Sequence, residues 1–314
     1  MQDTYKSRWP ELEQRIEDLL SDRGPMIGKE LLAALGEVNN MIVWKICRSS
    51  PRFRLKNSAR YYLRYDITRE NQLRLSPSIL RNFMSFTLVH LANQSVRAVE
   101  RSILLSNMHR VISLKKLQFA RQAILALKPE TRAILQDHAC AFIAGDISYF
   151  LAHDEPRRVN DTDFMVKGSD IDIVFVHTPQ VSPDFVKSAE EEFTKIKFKY
   201  LKDPAVTQEI DFIFKPISKM IDQLRYGSIA EKIASKILYE SSYLFGSLEM
   251  YDAMTKQLKL HGTEAKIDRD FETALSERQE TIRKIYGFSD EQVLAKDPEV
   301  QSLFYFSQER LEFE

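Results

Sequence analysis

Hydrophobic residues recur with a helical period through the first and last parts of the chain and with a shorter period between them. In the helical parts, apolar residues stand three or four positions apart, as on the buried face of an amphipathic helix. Between about residues 131 and 225, short apolar runs alternate with polar loops. This order predicts an α+β protein that is predominantly helical, with a small mixed sheet in its middle part.

The N-terminal part begins with three short amphipathic segments. We predict helices at Glu11–Leu20, Ile27–Leu35 and Asn40–Cys47. After the third helix, apolar residues alternate with basic or polar ones between Phe53 and Tyr65, as in two short strands. Three helices followed by a β-ribbon are typical of a winged helix-turn-helix, which we predict for residues 1–75.

The next part, residues 76–130, is predicted to be a helical connector. Apolar positions keep the helical period through Ser76–Met108 and Leu114–Leu127, and Pro129 begins a further helix at its first-turn position. The last part, residues 226–314, is again predicted to be helical, with Ile229–Tyr243 as its clearest helix.

The middle part, residues 131–225, contains three apolar runs of strand length. We predict strands at Ala139–Ala144, Ile171–Val176 and Val206–Phe214. A brief helix from Gly145 through Leu151 follows the first strand, and a longer helix at Pro183–Ile196 joins the second strand to the third.

Composition excludes several classes of protein. Hydrophobic residues make up 44% and charged residues 29% of the 314 positions, which is an ordinary globular balance. The two cysteines, Cys47 and Cys140, are too few for a disulfide framework and wrongly spaced for a zinc site, so we expect a reducing cytoplasm. No run reaches the ~18 apolar residues of a membrane span and the N terminus does not open a signal peptide, so we expect no membrane partner.

The segment Gly168–Val176 places two carboxylates at the start of an apolar strand. Asp170 and Asp172 are two positions apart, so their side chains point to the same face while Ile171 and Ile173 point to the other. Two carboxylates at that distance repel each other unless a cation lies between them. Mg²⁺ is the obvious candidate, because proteins usually hold it with one or two carboxylates and the phosphates of a substrate. An Asp-x-Asp pair at the start of a strand is also often only a turn or a cap.

A third carboxylate and a glycine turn extend this pattern. Asp211 stands alone in the apolar run Ile210–Phe214, and we expect it to lie beside Asp170 and Asp172 on a neighbouring strand. Three carboxylates can hold two Mg²⁺ ions about 3.5–4 Å apart. Upstream, Gly145 would let the backbone approach a triphosphate closely, and Ser148 adds a hydroxyl, although it is equally suited to capping a helix.

The order of these elements resembles the nucleotidyltransferase superfamily, which includes DNA polymerase beta, the CCA-adding enzymes and the cyclic-dinucleotide synthases. The resemblance covers about 75 residues, from Cys140 to Phe214. It implies a two-metal mechanism with Mg²⁺ or Mn²⁺ as cofactor and an NTP as substrate, with the three aspartates as catalytic residues and metal ligands. The residues that it implies for nucleotide binding are Gly145, Ser148, Gly168, Ser169, Lys232 and Lys236. The structural alternative for Lys232 and Lys236 is a solvated helix face.

A cluster of basic residues in the N-terminal part indicates a possible partner. Aromatic residues are interleaved with it, no acidic residue interrupts it, and it stands out because the formal net charge of the chain is zero. We predict that it grips nucleic-acid phosphates, as DNA or RNA binding would require. The cluster consists of Lys45, Arg48, Arg52, Arg54, Lys56, Arg60 and Arg64.

These observations favour an enzyme that transfers a nucleoside monophosphate from an NTP to a hydroxyl acceptor. The acceptor, a nucleic acid or a protein, is left open by the sequence. A second hypothesis is a nucleic-acid-binding regulator whose degenerate nucleotidyltransferase domain senses a nucleotide, since a fold does not imply its function.

Overall fold

The computed structural model describes residues 9–66, 72–159, 164–295 and 297–306. The structure is 61% helical and 18% strand, so the predicted class, mixed α and β with a predominance of helix, is confirmed at that level. The strands are β1 (Met26–Ile27), β2 (Phe53–Asn57), β3 (Tyr62–Asp66), β4 (Gln72–Ser76), β5 (Thr87–Leu91), β6 (Ala139–Ile143), β7 (Pro156–Arg158), β8 (Met165–Lys167), β9 (Ile171–His177), β10 (Ile210–Pro216) and β11 (Ser242–Gly246). The helices are α1 (Pro10–Arg23), α2 (Gly28–Leu35), α3 (Asn40–Ser49), α4 (Ile79–Arg81), α5 (Ser95–Leu125), α6 (Pro129–His138), α7 (Pro183–Lys202), α8 (Ile217–Gln223), α9 (Ile229–Tyr239), α10 (Leu248–Leu260), α11 (Thr263–Gly287), α12 (Asp290–Leu294) and α13 (Pro298–Phe304).

The chain divides into two compact units. The first comprises residues 1–62, 74–108 and 274–314, and the second comprises residues 63–73 and 109–273. Each unit therefore gathers segments that are distant in sequence, whereas the predicted segments 1–75, 76–130, 131–225 and 226–314 follow chain order.

The first unit contains an antiparallel sheet with the strand order β1-β5-β2. Helices α1, α2 and α3 correspond to the three predicted helices, and α1, α2 and α3 bury Ile16, Leu31 and Val43 in a common core. The predicted ribbon is wrong in its pairing, because β2 pairs with β5 and not with β3.

The predicted helix Ser76–Met108 is helical at α4 and from Ser95 onward, but strand β5 interrupts it. A π-helical turn at Asn82–Phe86 leads into β5, and helix α5 begins only at Ser95. Strand β5 is the central strand of its sheet, and its Leu88 and Val89 are fully buried. Apolar residues on both faces of a central strand resemble a buried helix in sequence, which explains the error.

The second unit contains a mixed sheet with the strand order β10-β9-β6-β11. Strands β9 and β10 are parallel, and the other two pairs are antiparallel. Strands β6 and β9 confirm two predicted strands, whereas the third begins at Ile210 instead of Val206. The fourth strand, β11, was not predicted. The predicted helix Ile229–Tyr243 covers the start of this strand, whereas the observed helix α9 ends at Tyr239.

Two further predictions concern helices and cysteines. The brief helix expected from Gly145 to Leu151 is a single 3₁₀ turn at Gly145–Ile147. Cys47 and Cys140 are buried free thiols. Among the described residues, no helix is both long enough and apolar enough to cross a membrane.

Candidate functional site

Three carboxylates converge at one edge of the sheet in the second unit. Asp172 on β9 and Asp211 on β10 are direct partners in the register of the two parallel strands, which lie about 4.8 Å apart. Asp170 immediately precedes β9, and ligand oxygens of the three residues lie within 4.8 Å of one another. The convergence predicted from strand alternation is therefore present in the structure.

The glycine turn lies beside these carboxylates. Gly145 has φ +76°, and a Cβ on this residue would stand 4.0 Å from Oδ2 of Asp172. Gly168 has φ +64°, and a Cβ there would overlap the carbonyl oxygen of His153. At both positions the positive φ would strain a side chain, and at Gly168 the side chain would also clash with the backbone. The two glycines bring their loops to the edge where the carboxylates meet.

Two cationic side chains that sequence reasoning missed neutralise part of this charge. Lys197 of α7 donates from Nζ to Oδ1 of Asp211. Arg157 of β7 forms an ion pair with Glu209 at 2.7 Å and lies 3.9 Å from Asp170. Arg157 also donates from Nε to the carbonyl of Gly168 at 2.8 Å. Lys197 and Arg157 lie away from the aspartates along the chain, so the sequence gave no indication of these contacts.

The local field remains acidic and perturbs Asp172. The surrounding protein desolvates its carboxyl, and the charges of Asp170 and Asp211, followed by Glu209 and Asp146, add to this, so that its pKa is raised well above the usual range. Because solvent still reaches the Asp172 side chain, we attribute the raised pKa chiefly to repulsion between the carboxylates. A group of close carboxylates that disfavours its own ionisation attracts cations.

A buried lysine ties together the two loops that lead into the site. Lys116 of α5 is 1% exposed and donates from Nζ to the carbonyl of Lys167 at 2.6 Å and to Oε1 of Gln208 at 2.7 Å. Burial lowers its pKa to about 8. Since Lys167 precedes Asp170 and Gln208 precedes Asp211 by three positions, this lysine fixes the spacing between the two carboxylate-bearing loops.

The serines proposed to contact phosphate have partners within the protein. Ser148 donates from Oγ to the carbonyl of Ile143 at 2.9 Å. Ser169 donates from Oγ to Oδ2 of Asp146 at 3.0 Å and is buried. Both hydroxyls therefore hold the loops around the carboxylates. Because each already donates its hydrogen within the protein, it can only accept a further hydrogen bond.

The two candidate lysines of α9 differ in their surroundings. Lys236 forms an ion pair with Glu240 at 2.6 Å, and Oε1 of Glu240 also accepts from the backbone N–H of Gly145 at 3.3 Å. Lys236 is thereby linked to the glycine turn and is not on a solvated face. Lys232 instead pairs with Asp270 at 3.2 Å.

Two basic residues of the N-terminal cluster have partners within the first unit. Lys45 donates to the carbonyl of Phe288 at 3.0 Å and is mostly buried. Arg52 forms ion pairs with Glu17 at 2.6 Å and with Glu13 at 3.9 Å. Lys45 and Arg52 would therefore have to give up partners in the same unit in order to contact phosphate.

Four other members of the cluster are exposed. Arg54, Lys56 and Arg60 are exposed, although Arg54 donates to the carbonyls of Pro51 and Phe53. Arg48 is also exposed. Arg64 belongs to the second unit and not to the first, so the cluster is divided between units.

The carboxylate edge fits a hard divalent cation by the chemistry of its donors. Asp170, Asp172 and Asp211 offer carboxylate oxygens only, which is the ligand set that suits Mg²⁺ and Mn²⁺. The side chains of Asp170 and Asp172 are exposed and that of Asp211 is partly so. Lys197 engages one oxygen of Asp211, so a bound cation would share this carboxylate with the ammonium or displace it.

Comparison with known proteins identifies no relative. No protein-family model matches the chain, and neither the curated proteins nor the solved structures contain a significant match.

Proposed function

We propose that the protein is a Mg²⁺-dependent nucleotidyltransferase that moves a nucleoside monophosphate from an NTP to a hydroxyl acceptor. The observation that carries this proposal is the register of Asp172 with Asp211 on parallel strands, with Asp170 within ligand distance of both. The glycine turn against Asp172 supports it, because Gly145 leaves the space that a phosphate needs.

The order of elements supports the same proposal. A glycine turn follows β6, an Asp-x-Asp pair opens β9, and a third aspartate lies on β10, as the resemblance to the nucleotidyltransferases requires. In the first unit, three helices and a small sheet in the order β1-β5-β2 favour a winged helix with an unusually long excursion between β2 and β5. Both fold assignments are part of the proposal.

The three aspartates of the site would have different roles in the transfer. Asp170 and Asp172 would hold the divalent cations, whose chemistry is to neutralise the triphosphate and make the acceptor hydroxyl more acidic. Asp211 would complete the cage and draw the proton from the acceptor. The acceptor oxygen then forms a bond to the α-phosphorus, the bond between the α-phosphorus and the bridging oxygen breaks, and pyrophosphate leaves with that oxygen.

The cationic side chains of the site would stabilise the charge that develops on the leaving group. Lys197 and Arg157 already lie against Asp211 and Asp170. Positively charged groups held in place before the reaction stabilise phosphoryl oxygens without reorganisation. Lys236 lies near the Gly145 turn through Glu240 and is the residue of α9 that we assign to the triphosphate.

The same cations favour one alternative. Because Lys197 and Arg157 pair with the carboxylates, a regulator could bind a nucleotide at this edge without turning it over. Such a protein would use the exposed basic residues of the first unit to bind nucleic acid and the second unit to sense the nucleotide.

Transfer of label from NTPs separates the two functions. The protein is incubated with each of four α-³²P-labelled NTPs, Mg²⁺, and RNA, DNA or a cell extract as acceptor. The enzyme transfers label and releases pyrophosphate, and Asp172→Asn loses both, whereas the exposed control Asp252→Asn retains them. Saturable binding of a nucleotide without pyrophosphate release would contradict the enzyme and support the regulator.

A further inference from the structure

Helix α5 exposes apolar side chains on the side opposite to its buried residues. Ala98, Leu105 and Ala120 are buried and show which side packs inward. A helix that buries one face ordinarily carries polar residues on the other. Over about 27 Å of α5, at a rise of about 1.5 Å per residue, the outer face is instead largely apolar. We call this face the α5 stripe, and its exposed apolar residues are Val96, Val99, Ile103, Leu104, Met108, Val111 and Leu114.

The extent of this apolar face requires an explanation. The apolar residues of the α5 stripe are between 46% and 73% exposed. Successive members lie within four positions of one another along the helix, so they form a continuous surface. Single exposed apolar residues are ordinary, whereas a contiguous apolar patch marks a surface that another molecule covers.

The order of residues in the α5 stripe is symmetric about Leu105. Val96 and Leu114 each stand nine positions from it, and Val99 and Val111 each stand six positions from it. At about 100° per residue, Val96 and Leu114 point directly away from Leu105, which is 8% exposed. A two-fold axis can therefore leave the helix through the middle of the stripe. About such an axis, two copies of α5 pack antiparallel, and each contact between two different positions is made twice.

The charges in the α5 stripe favour this antiparallel arrangement. Glu100 and Arg110 each stand five positions from Leu105, and both are exposed. In an antiparallel pair, Glu100 of each copy faces Arg110 of the other copy, which gives two contacts between opposite charges. A parallel pair in register would place each of these charges against its own counterpart, and like charges across an interface are unfavourable. The charge pattern is therefore complementary to itself only when the two helices are antiparallel.

We infer that the α5 stripe is the interface of a homodimer and is covered by the same helix of a second copy of this chain. The two valines at the start of the stripe pack against Leu114 and Val111 of the other copy, and Ile103 packs against its Asn107. An interface that is one helix wide lies at the small end of specific interfaces. The dimer therefore forms reversibly, and its population depends on the protein concentration.

Sedimentation velocity of the full chain tests dimerisation through this helix. The runs cover protein concentrations between about 1 and 100 μM, the range in which a weak dimer dissociates. Ile103→Asp places a charge in the apolar middle of the interface and should weaken the dimer by about tenfold or more. Leu248→Asp is the matched control and should change it by less than about twofold, because Leu248 of α10 is 52% exposed and Ile103 is 55% exposed. Thermal unfolding of each variant verifies that it folds.

Charge reversal tests the antiparallel pairing separately. Glu100→Arg replaces both contacts between opposite charges with contacts between two arginines, and Arg110→Glu replaces them with contacts between two carboxylates. We expect each single variant to weaken the dimer by about tenfold. The double variant, which carries both changes, restores opposite charges at both places and should dimerise within about threefold of the wild type. A parallel pair would show no such recovery, because each position would still face its own counterpart.

Three results would overturn the inference. One is a wild-type protein that stays monomeric over the whole concentration range. Another is a dimer that Ile103→Asp weakens no more than Leu248→Asp does, since such a dimer uses a different surface. The third is a double charge reversal that dimerises no better than the single reversals, since Glu100 and Arg110 then do not face each other. None of these results bears on label transfer by the carboxylate site, so the two proposals fail separately.

Discussion

The chain contains two concentrations of like charge, and the fold treats them in opposite ways. The three aspartates of the second unit are brought within 4.8 Å of one another, although Asp211 is far from the other two in sequence. The seven basic residues of the N-terminal cluster lie within twenty positions, yet they are distributed over a helix, two strands, the loops beside them and two units. Proximity in the sequence therefore did not predict whether the basic residues belong to one unit. The alternation of side chains along the strands, in contrast, did predict that the aspartates converge.

Repulsion explains why this contrast is informative. A fold that only required solvated carboxylates would separate them, because like charges in contact destabilise it. The aspartates are instead held together by two glycine turns, by the register of β9 with β10 and by Lys116. The basic residues show the ordinary outcome, in which each charge is solvated or finds a local partner.

The largest expected effect comes from Asp172→Asn. Metals and their ligands contribute several kcal/mol to transition-state stabilisation, so transfer should fall by roughly 10³-fold or more. The stability of the folded protein should instead increase. A carboxyl whose pKa is raised by folding holds its proton more tightly in the folded state, so stability is lost as pH rises through that folded pKa.

The variant should therefore unfold at a higher temperature than the wild type at pH 8 in EDTA, and the difference should shrink as the pH falls. Differential scanning fluorimetry across pH measures both trends, with Asp252→Asn as the control. A lower unfolding temperature for Asp172→Asn at pH 8 would show that the carboxylate stabilises the fold.

The second effect concerns Lys116→Met, which removes the lysine that joins the two loops. The carbonyl of Lys167 and Oε1 of Gln208 lose their donor, and unpaired buried acceptors cost about 1–3 kcal/mol each. We expect chemical denaturation to show a loss in that range at pH 7. Transfer should fall as well, because the loops before Asp170 and Asp211 are no longer tied together.

The pH dependence of this loss carries the sign of the shifted pKa. Folding lowers the pKa of Lys116 to about 8, so between about pH 8 and its ordinary value the unfolded state binds more protons and the wild type gains stability with pH. Lys116→Met lacks that gain. Parallel stability curves for the two proteins from pH 7 to 10 would contradict a buried, titrating lysine.

The smallest effects separate the basic residues from one another. Lys45→Met removes a donor to the carbonyl of Phe288 and should cost about 1 kcal/mol of stability without changing affinity for a single-stranded oligonucleotide. The exposed Lys56→Gln should leave stability within about 0.5 kcal/mol and reduce the salt dependence of oligonucleotide binding by about one contact. Equal effects of the two variants on binding would restore the single basic surface that the sequence predicted.

The accuracy of the sequence predictions follows from the range of the interactions involved. Asp170, Asp172 and Asp211 could be placed together because alternation along a strand is local and parallel neighbours share an edge. Lys197 and Arg157 could not be assigned to those aspartates, because their contacts depend on where α7 and β7 pack. Strand β5 was missed for a similar reason: its position between β1 and β2 is set by partners about thirty and sixty positions away.

The acidic edge itself can be tested by titration with Mn²⁺, followed by electron paramagnetic resonance. We predict saturable binding of one or two ions by the wild-type protein, loss of that binding in Asp172→Asn, and its retention in Asp252→Asn. Binding of the same number of ions with the same affinity by Asp172→Asn, or no saturable binding by the wild type, would contradict the assignment of the three aspartates as a divalent-metal site.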